Sequence, residues 1–461
     1  MDSAFFFAVN AESPAGPDTA ARVLAAFRRA AARVPAYRTM LAEAGVEAAT
    51  VRTLADFARV PVLEKSGTFR RFPIAELCVD GEPGRLGAVL TSSGHSGTFA
   101  FGLTSAEALP ATTAWIDDLL DHLFHVRTQR TLLINCLPMG VKVPTLACTL
   151  AETSVRPDMA VGLVRAFAAH FAQIILVGEA AFLKHVLESG RRGGVDWCSL
   201  RVHVIAGEEP LAENARAYLE GILGIAAGRT GAGMVVSSMG VAELGLNLFS
   251  EVPPPGVLVP LRRLLHRRAD LRHAVFGPVD WVPSLFTYDP RRIHVEFDRQ
   301  RRLLVTMLGE DVRVPLVRYA TGDRGRVLAL PPEVQPALTA AGLPWPVIAA
   351  LPIVAIEGRG EHALAGAAAV YPEAIKEGLY REPALAELTT ANFRLVSGAE
   401  RARVRIQLQP GAEAAPGLNE RFHAAISAHV RAPLEVFCEP YATFGSGMAL
   451  DYERKFQYLE P

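Results

Sequence analysis

The chain has 461 residues, 50% of them hydrophobic and 21% charged, with a net charge of −1. That length exceeds what one hydrophobic core usually supports, so at least two domains are expected. The balanced charge argues against nucleic acid as the main partner, because binding a phosphate backbone needs an excess of clustered Lys and Arg.

In chain order, the first ~85 residues read as helical: Val23, Leu24 and Phe27 share one face of a helix over 19–33, and 54–57 begins another turn. From about residue 88, short apolar runs at 131–135, 173–178, 201–207 and 234–238 alternate with amphipathic segments such as 182–188 and 211–223. Buried parallel strands joined by crossover helices give this pattern, so the fold class is α/β. Ligands in such sheets sit at the carboxyl ends of the strands, where Gly207 and Ser238 fall. The basic run from Arg262-Arg263 to His266-Arg267-Arg268 reads as a solvated helix face. Beyond about residue 280, alternation at 292–297 and 302–307 predicts an antiparallel pair. A Pro/Ala/Gly-rich stretch at 330–352 then marks a boundary. We expect a large domain over 1–355, with mixed and parallel sheets, and a small mobile α+β domain over 356–461. In the latter, strands at 392–396 and 403–408 alternate with helices at 372–380 and 419–429.

The five cysteines are odd in number and scattered, with no C-x-x-C pair. That is the usage of a reduced, cytoplasmic protein, not of a disulfide scaffold or a zinc site. The apolar patch Phe5-Phe6-Phe7 lacks a basic flank and is soon interrupted by Asn10 and Glu12, so no signal peptide is expected. The apolar stretch 340–356 is broken by Pro344, Pro346 and Pro352, which argues against a membrane span.

The most informative stretch is a cluster of hydroxyl residues and glycines, Ser92, Ser93, Gly94, His95, Ser96, Gly97 and Thr98, entered from the apolar Ala88-Val89-Leu90. Such a backbone folds around phosphate oxygens and donates N–H and O–H groups to them. A nucleophile elbow at Ser96 would need glycine where Thr98 stands, and the spacing of a Walker loop is absent. The alternative is a solvated Ser/Gly hairpin loop. Lysine occurs only at 65, 142, 184, 376 and 455, against 47 basic residues. A lysine in a motif position is therefore a candidate for a role that needs a compact ammonium.

Several segments fall in one order along the chain: Pro61-Val62-Leu63-Glu64-Lys65, the loop 91–98, Ala206-Gly207-Glu208-Glu209-Pro210-Leu211, then Ser238-Met239-Gly240-Val241-Ala242-Glu243-Leu244-Gly245. Arg318-Tyr319-Ala320-Thr321-Gly322-Asp323, Ile356-Glu357-Gly358-Arg359 and Val370-Tyr371-Pro372-Glu373 follow. The ordered set resembles the adenylate-forming ligases, and among them the phenylacetate–CoA ligase branch. The resemblance implies that Ser92 to Thr98 cradle the phosphates of ATP and that Gly207 and Glu208 lie near the adenine. It also implies that Ser238, Met239 and Gly240 line the nucleotide site, that Glu243 holds Mg²⁺, that Asp323 takes the ribose hydroxyls, and that Arg359 marks a hinge.

The implied substrate is a small carboxylic acid, aromatic or hydrophobic, joined through an acyl-adenylate to CoA. Acceptors other than CoA (a carrier-protein thiol or an amine), an unusual acid such as nitrite, or a non-catalytic nucleotide-binding role are the alternatives, and a homodimer is left open. The sequence departs from the family in three places: no lysine follows Gly97, Met239 replaces a tyrosine, and Ala242 replaces a hydroxyl residue. A protonated His95 would supply some of the missing positive charge. Lys455, after the glycines Gly445 and Gly447, is the candidate for the late catalytic lysine. The acid pocket would draw on dispersed positions near Met139, His203 and Ser237.

Overall fold

The computed structural model describes residues 17–92, 98–138, 140–225, 233–251, 256–360, 364, 370–397, 401–444 and 458–459. The apolar runs of the middle of the chain form β3 (Thr131–Asn135), β4 (Thr149–Glu152), β5 (Gln173–Glu179), β6 (Val202–Gly207) and β7 (Val235–Val241), which pair in parallel in the order β7-β6-β5-β3-β4. The side chains of β3, β5 and β6 are buried on both faces, which is why these runs are continuous rather than alternating. From β7 the sheet continues antiparallel through β8 (Gly245–Ser250), β9 (Ser284–Thr287), β13 (Ile353–Arg359), β12 (Tyr319–Val327), β11 (Arg302–Met307) and β10 (Ile293–Phe297). Ahead of this 11-stranded sheet, β1 (Leu86–Thr91) and β2 (Phe101–Ser105) form a separate antiparallel hairpin.

Helix Pro17–Arg33 packs Val23, Phe27 and Ala30 into one core with Val305 and Tyr319 of the antiparallel half, so the N-terminal segment wraps that side. The two faces of the parallel half are covered differently. One receives helix Leu109–Phe124, whose Ile116, Leu120 and Phe124 meet Leu133 and Ile175. The other receives helices Ala180–Arg192 and Glu213–Ile222, and over these lies a C-terminal unit. That unit is built from β14 (Thr389–Val396), β15 (Ala402–Leu408), β16 (Leu434–Glu439) and the helices Pro372–Leu379 and Leu418–Ser427.

The C-terminal unit meets the rest of the chain through an apolar core crossed by buried polar links. Ile375, Leu379, Tyr380 and Phe393 share one buried core with Val186, Leu187 and Tyr218. Glu377 accepts hydrogen bonds from the N–H groups of Glu213 and Asn214, both at 2.9 Å, and so caps the start of helix Glu213–Ile222 from across the interface. Lys184 donates to the carbonyl of Thr389 at 2.7 Å and pairs with Glu188 at 2.8 Å.

Two expectations change. The boundary at 355/356 falls inside β13, because Ile353–Arg359 is an interior strand of the main sheet. The run from Arg262 is not a solvated face: Arg262 is 2% exposed, 3.0 Å from Glu213, and donates to the carbonyls of Leu211 and Pro283. Only its far end, Arg267 and Arg268, is exposed. Among the described residues no helix is long and apolar enough to cross a membrane, and the five cysteines form no disulfide.

Candidate active site

The carboxyl ends of β6 and β7 open onto a cavity of about 200 Å³. Its mouth is polar: Lys65, Ser92, Ser238, Glu243, Thr321 and Arg359 line it together with the backbone of Gly207 and Gly240. At the lip, Glu208 adopts a left-handed backbone with φ of +69°, a strained conformation for a residue with a Cβ and one that clusters at functional sites.

Local structure explains how distant segments reach this mouth. Leu63 joins the edge of β12, its N–H donating to the Arg318 carbonyl at 3.1 Å and its own carbonyl accepting from Ala320 N–H at 2.8 Å. That tether brings Lys65 over the site, where its Nζ donates to Ser92 Oγ at 3.1 Å. The same Oγ accepts from Ala100 N–H at 2.9 Å, so Ser92 is fixed at the neck of the hydroxyl/glycine loop. Glu243 sits in the turn between β7 and β8 and is 6% exposed, with Tyr319 OH donating to its Oε1 at 2.6 Å. Burial raises the Tyr319 hydroxyl far above its ordinary range, so it remains a donor. The β1–β2 hairpin lies directly on this turn: a Cβ on Gly102 would come within 2.1 Å of the Ala242 carbonyl oxygen. Only glycine allows the approach.

A second cavity of about 40 Å³ adjoins the first and is lined by Glu208, Glu209, Met239, Asp323, Arg359 and Glu373 among others. Thr321 Oγ1 donates to Asp323 Oδ2 at 2.8 Å, and Arg359 Nε stands 3.9 Å from Oδ1. The C-terminal unit closes this side. Glu209 Oε2 accepts from Lys376 Nζ and from Tyr458 OH, each at 2.5 Å. Burial pushes the Glu373 carboxyl up to about 7 against the pull of Lys376, and its Oε2 has no hydrogen-bond partner among the described residues. Burial, with repulsion from Glu209, likewise pushes Glu179 up to about 7, while its oxygens cap helix Ala180–Arg192.

Of the residues expected at the site, Ser92, Gly207, Glu208, Ser238, Gly240, Glu243 and Arg359 line the large cavity, and Met239 and Asp323 the small one. Thr98 is buried but lines neither. Ser93, Gly94, His95, Ser96, Gly97, Lys455 and Met139 lie outside the described residues. Ser237 lines the large cavity, whereas His203 does not. It is buried against the Phe124 ring at 4.7 Å and bonded to Gln173 Oε1 at 3.2 Å, and burial drives its pKa down to about 3. Sequence reasoning left Lys65, Tyr319 and Thr321 out of the site although it quoted them within motifs. Nothing in the sequence signalled the contacts of Glu373, Lys376 and Tyr458, which depend on pairing across more than 160 residues.

No protein-family model and no curated protein matches the chain in sequence. Solved structures match it in fold. A 2-hydroxyisobutyryl-CoA ligase in the postadenylation state, in complex with 2-HIB-AMP, superposes with a TM-score of 0.67 over 95% of this chain and 88% of that one, at 14% identity. The same ligase in the thioesterification state, with 2-HIB-AMP and CoA, gives 0.53 over 96% and 88%, also at 14% identity. An anthranilate CoA ligase in complex with anthranoyl-AMP gives 0.51 at 11% identity, over 80% of this chain and 65% of that one. Over nearly its whole length, the chain therefore has the fold of the adenylate-forming CoA ligases.

Proposed function

We propose that the protein activates a carboxylic acid with ATP as an acyl-adenylate and passes the acyl group to CoA. The observation that carries this reading is one cavity, at the carboxyl ends of parallel strands, that joins a polar mouth to an apolar interior. It would place a carboxylate among groups suited to phosphate while desolvating its tail.

In the first step a carboxylate oxygen attacks the α-phosphorus in line. The new O–P bond forms as the bond to the β-phosphate oxygen breaks, and pyrophosphate leaves with that electron pair. Positioning and charge stabilisation dominate such a step. Lys65 and Arg359 supply positive charge at the mouth, and Ser92 a hydroxyl. Ser93, Gly94, Ser96, Gly97 and Thr98 would continue the phosphate cradle, with His95 and Lys455 as further cations. Gly207, Glu208, Ser238, Met239 and Gly240 would form the walls around the base, with the two acceptor oxygens of Asp323 suited to ribose hydroxyls.

Mg²⁺ binds through one or two carboxylates plus substrate phosphates, and the single buried carboxylate of Glu243 at the mouth fits that donor set. The ion would neutralise charge on the departing pyrophosphate. In the second step the CoA sulfur bonds the acyl carbon, the acyl C–O bond to AMP breaks, and the thiol proton passes to solvent. Rotation of the C-terminal unit about Arg359 would separate the two steps, and the shared core under that unit is what the rotation has to part.

Acid-dependent exchange of labelled pyrophosphate into ATP tests the first step. Exchange in the presence of a carboxylic acid supports it, and its absence with every acid offered contradicts it.

A further inference from the structure

Where helix Leu109–Phe124 faces the sheet, the wall of the large cavity is aliphatic. Helix Leu109–Phe124 presents Ile116, Leu120 and Leu123 to it, at i, i+4 and i+7 on one face. Opposite them, the adjacent strands β3, β5 and β6 contribute Leu133, Val177 and Ile205. Among the described residues no aromatic side chain lines the cavity at all, and its polar lining comes from Lys65, Arg359, the strand ends and the β7–β8 hairpin. The direction of the slot follows from connectivity. Helix Leu109–Phe124 leads through 125–130 into the start of β3, so it runs against the strands. Ile116 therefore lies nearer the mouth and Leu123 at the far end.

The geometry points to an unsubstituted aliphatic carboxylic acid of about six to eight carbons as the substrate, an inference that rests on the adenylation reading above. The size follows from volume: an apolar cavity of roughly 150 Å³ holds a six-carbon benzene, and this one, part of it mouth, measures about 200 Å³. Walls of branched aliphatic side chains offer a chain dispersion contacts along its length but give an aromatic acyl group no ring to meet edge-on or offset. A hydroxyl or keto group carried in along the helix would lose its water against Ile116, Leu120, Leu123, Leu133, Val177 and Ile205, none of whose side chains offers a donor or acceptor. Leu123, half-buried at the far end, sets the length that fits.

The test measures AMP formation by the full-length protein with ATP, Mg²⁺ and CoA across butanoate, hexanoate, octanoate, decanoate, 6-hydroxyhexanoate, benzoate and phenylacetate. We expect kcat/KM to rise roughly fourfold per methylene up to the optimum and to fall beyond it. The hydroxylated acid should lie on the order of 100-fold below hexanoate. Leu123→Trp should move the optimum to shorter acids and Leu123→Ala to longer ones; both are read as ratios within one preparation, so a general loss of activity leaves the answer intact. AMP formation that favours the aromatic or hydroxylated acids, or an optimum that neither variant moves, overturns this inference and leaves adenylation standing. No AMP from any acid overturns both.

Discussion

The two faces of the parallel half-sheet are made by alternate residues of the same strands, yet they behave as opposites. On one face, Leu133, Val177 and Ile205 and helix Leu109–Phe124 together line the cavity, which with its mouth measures about 200 Å³. On the other, Ile174, Leu176 and Val204 are sealed beneath two helices and the C-terminal unit, with buried polar links such as Lys184 to Thr389 fastening the layers. Incomplete packing forfeits dispersion contacts, so a void of this size persists at a cost in stability. The comparison teaches that binding and stability are separable here by the parity of a residue along a strand: one position faces the ligand slot, the next the fastened core.

The largest effect expected belongs to the mouth of the open face. Glu243→Gln keeps the size of the side chain and removes its charge, so adenylation should fall about 100- to 1000-fold with the fold retained. Pyrophosphate exchange and circular dichroism on the same preparation check both halves of that statement. On the fastened face the pattern should invert. Phe393→Ala hollows the core that joins the C-terminal unit to helix Ala180–Arg192, and should cost about 3–5 kcal/mol in denaturant unfolding. The order in which the remaining activity ranks the acids should stay unchanged. A reordering of the acids would mean that the two faces are coupled after all.

A pH series sharpens the comparison further. Glu179 on β5 and Glu373 on helix Pro372–Leu379 both have carboxyls raised to about 7 in the folded chain, with Glu209, Asp323, Lys376 and Tyr458 facing them. A carboxyl whose folded pKa lies above its unfolded value binds a proton on folding, so its contribution weakens as pH rises from about 4.5 through about 7. Thermal stability should therefore drop between about pH 5 and pH 7 and level off above that. Glu373→Gln, which stays neutral, should flatten that drop; an unchanged slope would remove Glu373 from the interface electrostatics. The smallest effect is expected at the solvent. Arg403 and Glu435 pair at 3.2 Å with both side chains largely exposed, and Arg403→Ala should change stability by about 0.5 kcal/mol or less.

How much of this was legible in the sequence divides along the same line. The gathering of Gly207, Ser238, Glu243 and Arg359 around one cavity was foreshadowed, because each sits in one of the short segments of the ordered motif set. The strands were, because continuous apolar runs flanked by amphipathic helices leave few other arrangements. The slot was not. Ile116 and Leu133 carry the same apolar signal whether they pack against a neighbour or against a gap, and only the fit of helix on sheet decides which. Arg262 misled for a related reason: five basic residues in a run of seven resemble a solvated face, and the carboxylates that neutralise the inward one, Glu213 and Glu251, come from elsewhere in the chain. The clasp of Glu209 by Lys376 and Tyr458 was invisible because each partner looks ordinary where it stands.

The account's central claim is that the acid itself attacks the α-phosphorus. Supplying the acid with both carboxyl oxygens as ¹⁸O, together with ATP, Mg²⁺ and CoA, and weighing the AMP by mass spectrometry tests that claim directly. Attack by the carboxylate, followed by cleavage of the acyl C–O bond, predicts one ¹⁸O in the phosphate of each AMP released. AMP free of label, or ADP with labelled inorganic phosphate, would contradict it.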